Sequence, residues 1–510
     1  MDTVNDGEFN DSSSRSSSPS SSQSSSSPSF IDREELQHSN PDYAELFEDT
    51  CVMMDDYILD NLAKVSSPDF HDDMSAYLFE QLRITLFASV GETHAIDSNR
   101  AHSLICVILE QCADYYFDEL AAHESDRFIP RRSSSSVLDG GAAFERNVAT
   151  STKVSALIQQ QNQTEQRTDA WYARRHSMIT ASSLWKVFGT DSVKNQLIYE
   201  KCKPYVSPSS GDDKNQQPFV NVDSPLHWGQ KYEFLSAEIY QRKNNTRLGE
   251  FGCIQHSDPR FPFIGGSPDG INVDESSPLF GRMVEIKNIV NREITGIPKE
   301  EYWIQMQIQM EVCDLDACDF VETRFVEYDD PQDYYTDVQI DYAYSQSRAN
   351  ANGVDNTDED VRGIILYFIN HDTRKPHYEY MPFDYLDVDT QEAWILNTIS
   401  RFDTPNYIWI RNIYWRLDQY SCVLVRRNKL WFNSYAAPQI ETVWRTIERE
   451  RVGDYSHRAP KKRIVAIKEN GAGGSVIKGG GVASTASTAS TASTASTGFV
   501  NLGNPCNIVI

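Results

Sequence analysis

Apolar and polar positions divide the chain into stretches of different character. Residues 1–40 are dominated by serine, from Ser12 to Ser29, and are predicted to be a disordered tail, because such a composition cannot build a core. Over 41–125 the pattern turns helical. Tyr43, Leu46 and Phe47, then Met53, Met54, Tyr57 and Ile58, recur at helical spacing, as do Tyr77, Leu78, Leu82 and Leu86, and later Leu104, Ile105, Ile108 and Leu109. An acidic helical module follows from this. Residues 126–166, with Pro130, a run of serines and Gly140-Gly141, read as a linker. From 167 to 452 the chain is aromatic-rich and mixed in period. Helices are predicted over 169–177, 182–188, 226–243, 299–313 and 438–450. Strands are predicted over 247–254, 263–267, 270–273, 282–290, 320–327, 363–369, 377–382 and 421–425. Helices interleaved with hairpin-connected strands predict an α/β (α+β) domain with a mixed central sheet flanked by helices. The acidic, Asn-rich stretch 329–360 reads as a surface insertion, and 453–510 as a basic then low-complexity Gly/Ser/Thr/Ala tail.

Composition changes this picture little. Hydrophobic residues are 39% and charged residues 24%, so much of the chain is expected to be globular. No apolar run approaches the roughly 18 residues of a membrane span. The first residues lack the basic and apolar start of a signal peptide, so an intracellular protein is expected, in the nucleus or the cytoplasm. Nine scattered cysteines fit reduced thiols, and neither Cys313/Cys318 nor Cys106/Cys112 has the second pair a zinc site needs. Charge is uneven. Residues 1–150 hold 9 basic and 28 acidic side chains, a net −19, which leaves −8 of the chain's −27 for the other 360 residues. A simple DNA-coating protein is excluded; an enzyme with a local basic groove and a bridging cation is not.

The chemistry concentrates in 263–289, FIGGSPDGINVDESSPLFGRMVEIKNI. Its later part alternates like a half-buried strand, so Glu285 and Lys287 share one face while Val284 and Ile286 share the other. Asp274 to Gly281 reads as a hairpin turn, and folding back about Pro278 puts Asp269 opposite Glu285. Two carboxylates beside one ammonium suit a magnesium site for phosphodiester cleavage. An ordinary salt-bridged pair on a solvated strand is the plain alternative.

Four further segments bear on it. In HWGQKYEFLSAEIY, Trp228, Tyr232, Leu235 and Ile239 form one apolar stripe bordered by Glu233. In KEEYWIQMQIQMEVC, Tyr302, Gln305 and Gln309 lie on one helix face, where glutamines can hold a water in line with phosphorus. ARRHSMITASS offers Arg174, Arg175, Thr180, Ser182 and Ser183 at a helix start, an anion-binding arrangement or an ordinary N-cap. Gly265-Gly266-Ser267-Pro268-Asp269-Gly270 lets backbone approach a ligand, or is a plain turn.

Taken in order, RHSMITAS, WGQKYE, GGSPDG, VEIK and YWIQ resemble the phage lambda exonuclease and YqaJ viral recombinase family, within the PD-(D/E)XK nuclease superfamily. The resemblance covers roughly residues 169–311. It implies a restriction-endonuclease-like sheet. It implies one or two Mg²⁺ ions, with Mn²⁺ as a substitute, held by Asp269, Glu285 and the carbonyl of Ile286, with Glu233 completing the site directly or through water. It implies that Lys287 activates or positions the attacking water, that Gln305 assists, and that Arg175, Ser182 and Ser267 hold a terminal 5′-phosphate. The activity implied is 5′-to-3′ digestion of duplex DNA ends in recombination or end processing. A single-strand annealing protein is the implied partner, and ring-shaped self-assembly is known in the family. The residues alone leave two rivals open: a nicking or structure-specific endonuclease, and a silent scaffold that recruits recombination proteins.

Overall fold

The computed structural model describes residues 43–89, 98–119, 129–135, 148–159, 168–206, 220–349 and 361–460. The serine-rich stretch 1–40, the low-complexity part of 453–510 and residues 350–360 of the expected insertion lie outside them. In chain order the elements are α1 (Tyr43–Asp60), α2 (Phe70–Ser89), α3 (Ser98–Asp114), β1 (Ser134–Ser135), α4 (Val148–Gln159) and α5 (Asp169–His176). Next come β2 (Ile179–Thr180), α6 (Ala181–Leu184), α7 (Asp191–Cys202), α8 (Pro225–Asn244), β3 (Leu248–Gly249), β4 (Ile254–Gln255), β5 (Ile264–Gly266) and β6 (Gly270–Asn272). They are followed by β7 (Met283–Asn288), α9 (Glu300–Cys313), β8 (Ala317–Glu327), α10 (Pro331–Ala349), β9 (Arg362–Asn370) and β10 (Pro376–Tyr380). The last are α11 (Val388–Arg401), β11 (Tyr407–Arg426) and α12 (Ala437–Arg451).

The main sheet runs β10-β9-β11-β8-β7-β6-β3, with β1 added on β11. Its β7–β8 pair is parallel and the other pairs are antiparallel, so the sheet is mixed as the pattern predicted. A second sheet, β2-β5-β4, carries the glycine-rich turn. β7 is central, and Met283, Val284, Glu285 and Ile286 are all buried. The half-buried strand expected there is buried on both faces, because α8 covers one and α9 lies against the other.

Other expectations fail for physical reasons. The single strand over 247–254 is two short strands in different sheets: β3 pairs with β6 and β4 with β5, and the chain crosses between them with Phe251 and Cys253 buried. The long β11 was legible only at 421–425, because bulges between Trp409 and Arg411 and between Leu417 and Gln419 break its alternation. Much of the acidic insertion is α10, a packed helix. Tyr334 and Val338 are buried against Ile364, Leu366 and Phe368, and Asp341 pairs with Arg362 at 2.7 Å.

The N-terminal helices are amphipathic, as read. Met54, Ile58, Met74, Leu82 and Ile108 are buried, and they join Trp303, Ile304 and Trp431 in one apolar core. Within the stretch read as a linker, the described residues are packed. Buried Arg132 donates to the carbonyls of Ser66 (2.6 Å) and Pro298 (2.7 Å), and its guanidinium lies over Trp303. No helix among the described residues is long and apolar enough to cross a membrane.

Candidate active site

The turn over 274–281 folds the chain back so that β6 and β7 pair with Gly270 opposite Val284 and Ile271 opposite Met283. One step further along the same register, Asp269 faces Glu285. The Asp269 carboxylate accepts the backbone N–H of Ile286 at 2.8 Å. Burial pushes the Asp269 carboxyl well above the ordinary range, the Glu285 charge adds to this, and Glu233 adds less; Lys287 and the Ile286 amide oppose them.

Glu285 is fully buried and surrounded by donors. Its Oε1 accepts from Lys287 and from Gln305 at 2.6 Å, and its Oε2 accepts from Gln309 at 2.8 Å. Gln309 also donates to the Ser267 carbonyl at 3.1 Å. Tyr302 covers the ammonium of Lys287, 5.1 Å from ring centre to nitrogen. The three residues spaced along one face of α9 thus all meet β7. Burial disfavours charge on Lys287, but Glu285 and Asp269 outweigh it, and its affinity for the proton is above the usual lysine value.

Glu233 is half-buried on α8, beside the apolar stripe of Tyr232, Leu235 and Ile239. Its charge is felt at Asp269. Among the described residues, no three His, Cys, Asp or Glu side chains converge closely enough to hold an ion between them. A divalent ion here would rest on Asp269 and Glu285, with Glu233 acting at longer range. That donor set fits Mg²⁺, which takes one or two carboxylates and keeps several waters. The repulsion from Glu285 that adds to burial in raising Asp269 is what a cation relieves.

The phosphate-binding candidates also gather. Arg175 stacks on Trp171, 4.3 Å from the ring centre, and donates to Ser182 Oγ at 3.0 Å. Ser267 lies against Cys253, a buried thiol that also senses Arg175, Arg174 and Lys201. The buried Ser267 hydroxyl has no aligned hydrogen-bond partner. Lys201 donates to the Arg175 carbonyl at 2.6 Å, and burial together with the Arg175 charge pulls it down to about 8. Two glycines of the turn are closely packed. A Cβ on Gly265 would overlap the sulfur of Met178, and one on Gly266 would stand 3.3 Å from Gln309 Cγ. The loop from Ser267 to Asp269 joins this pocket to the acidic site.

Two groups at the site were not anticipated. Glu322 stands beside Lys287 in the β7–β8 register, buried and paired with Arg292. Asn288 follows Lys287 and bonds α8. A carboxylate inside the apolar run FVETRF was the available signal for Glu322.

Residues 170–316 match the family described as YqaJ-like viral recombinase domain. An uncharacterized protein of Acanthamoeba polyphaga mimivirus is 29% identical over 316 residues, which cover 56% of this chain and 53% of that protein. The chain therefore spans about half the length of that relative. Two solved structures are similar at low level: the alkaline exonuclease LHK-Exo from Laribacter hongkongensis and its complex with dAMP. They are 17% and 18% identical, and each comparison covers 56% of this chain and 94% of the other at a TM-score of 0.30. Glu233, Asp269, Glu285, Lys287, Gln305, Gln309, Arg175, Ser182 and Ser267 all lie inside the segment 170–316 that matches the YqaJ-like viral recombinase domain.

Proposed function

We propose that the protein is a Mg²⁺-dependent deoxyribonuclease that digests duplex DNA from 5′ ends, in recombination or end processing. The observation that carries this reading is the facing pair Asp269 and Glu285, with Lys287, Gln305 and Gln309 all donating to Glu285. A bound divalent ion supplies Lewis-acid activation of water and screening of phosphate charge. The side chains do the rest. Lys287, held protonated by its neighbours, is suited to steady negative charge building on a phosphate and not to abstract a proton. Gln305 holds Glu285 with one amide hydrogen and keeps a second for a water or a phosphate oxygen. Arg175, Ser182 and Ser267 provide a guanidinium and two hydroxyls for a terminal 5′-phosphate. This pocket favours end-directed digestion over internal cutting, because an endonuclease has no use for a monoester subsite.

The test uses end-labelled linear duplex, with and without 5′-phosphate, in Mg²⁺ or EDTA. Mg²⁺-dependent loss of the 5′-phosphorylated strand, abolished in Glu285→Ala and Lys287→Ala, is the expected result. Equal cutting of covalently closed circles would replace the exonuclease by an endonuclease. No cleavage of either substrate would remove the enzyme reading.

A further inference from the structure

We propose that Asn288 is a positioning residue that fixes the turn of α8 carrying Glu233 against the acidic site. The inference rests on the nuclease reading. Strand alternation places Asn288 on the face of β7 opposite Glu285 and Lys287, together with Val284 and Ile286, where α8 packs. Its side-chain amide donates to the Gly229 carbonyl at 2.9 Å. Its Oδ1 accepts from Ser236 Oγ at 2.6 Å and from Thr323 Oγ1 at 2.8 Å. Ser236 and Thr323 are fully buried, and their hydroxyls lie 2.8 Å apart.

Gly229 precedes Glu233 by four residues and Ser236 follows it by three. Both therefore lie on the helix flank that Glu233 occupies. In helix geometry the Gly229 carbonyl is also the acceptor for the Glu233 N–H. Asn288 thus grips the hydrogen-bonded turn that carries Glu233 at both ends. Glu233 needs such a grip. It comes from a helix on the far face of β7, on the turn that Asn288 holds against that strand, so a small roll of α8 changes its distance from the site.

General packing does not account for the arrangement. The buried Tyr232, Leu235, Ile239 and Tyr240 already dock α8. Without Asn288, the Ser236 and Thr323 hydroxyls still have each other, and the Gly229 carbonyl keeps its helical bond. The fold is therefore expected to survive its loss, while the placement of Glu233 is not.

The experiment compares the full chain with Asn288→Ala, Glu233→Gln and the double variant. Mn²⁺ binding is followed by titration calorimetry without DNA, and turnover on 5′-phosphorylated duplex beside it. Asn288→Ala is expected to weaken Mn²⁺ binding and lower kcat about tenfold, the usual size for a residue that orients a ligand, with KM for DNA unchanged. In the Glu233→Gln background it is expected to do nothing further. Effects within twofold of wild type, or effects that add in full to Glu233→Gln, would overturn the proposal. If Asn288→Ala does not fold, Ser236→Ala gives the same comparison with one bond removed, and full additivity there rejects it equally. A wild type that neither binds Mn²⁺ nor cleaves DNA removes the nuclease reading itself. A wild type that does both, with an inert Asn288→Ala, removes the present inference alone.

Discussion

Gln309 donates to Glu285 across 2.8 Å, from a helix to a strand, and both side chains are buried. Hydrogen bonds to a buried charge are among the stronger ones, and an acceptor stripped of its donor bears its desolvation cost. Gln309→Leu is therefore expected to cost about 1–3 kcal/mol of stability. Gln305→Leu should cost less, because Gln305 is half-buried and Lys287 shares the same oxygen. Denaturant melts of the two variants measure the order. A Gln309→Leu protein as stable as wild type would show that this hydrogen bond does not hold Glu285.

Asp269 carries the opposite sign. Its folded proton affinity is raised, first by burial and then by Glu285. A raised group contributes stability that is complete below its unfolded value, about 4, and is lost as pH climbs through the folded value. At pH 8 without divalent ions, Asp269 should thus weaken the fold. Asp269→Asn mimics the protonated acid, so it is expected to melt higher than wild type in EDTA. Mg²⁺ should then raise the melting temperature of wild type and leave the variant where it was, since a ligand stabilises the state that binds it. Scanning calorimetry in EDTA and in Mg²⁺ separates these cases. A destabilised Asp269→Asn in EDTA would contradict the electrostatic account.

How far the sequence disclosed this site depended on the range of each relationship. The Asp269–Glu285 pairing was legible because a turn and strand alternation, both local, determine it. The common face of Tyr302, Gln305 and Gln309 was legible for the same reason, from the helical period. The reach of Glu233 to Asp269 is tertiary, and the resemblance to a known family suggested it where periodicity could not. Glu322 was missed because its meaning depends on a parallel neighbour, β7, that joins it to Lys287. In the fold, α10 escaped detection because its buried face is made by Tyr334 and Val338 among acids, a weak apolar stripe. All of β11 except 421–425 escaped because two bulges break its alternation.

The junction between the N-terminal helices and the matched domain is expected to respond to pH through His71. His71 is buried between Phe70 and Phe117, and its Nε2 accepts the Arg132 backbone N–H at 3.1 Å. Burial, reinforced by Arg132 and Arg131, pulls it down to about 3. A lowered histidine contributes stability that is complete above its unfolded value, about 6.5, and lost as pH falls from there towards 3. The contribution is on the order of a few kcal/mol. His71→Gln keeps an acceptor for Arg132 and cannot take up a proton. It should be less stable than wild type at pH 7 and lose less on going to pH 5. Melting temperatures at both pH values test this; parallel losses in the two proteins would exclude His71 as the cause.

Gly281 closes the hairpin that brings Asp269 to Glu285. Its N–H donates to the Asn272 carbonyl at 2.9 Å, and its φ is +82°, in the left-handed region. An added Cβ would also overlap the γ-methyl of Thr150 on α4. Gly281→Ala therefore meets two penalties, one in the backbone and one in packing. The backbone part is about 1–2 kcal/mol. The packing part is relieved by Thr150→Ser, which removes the methyl and keeps the hydroxyl. The double variant should recover the steric share and leave the backbone share, so the two substitutions are expected to be non-additive, as neighbours usually are. Full additivity in denaturant melts would mean that α4 does not rest on this turn.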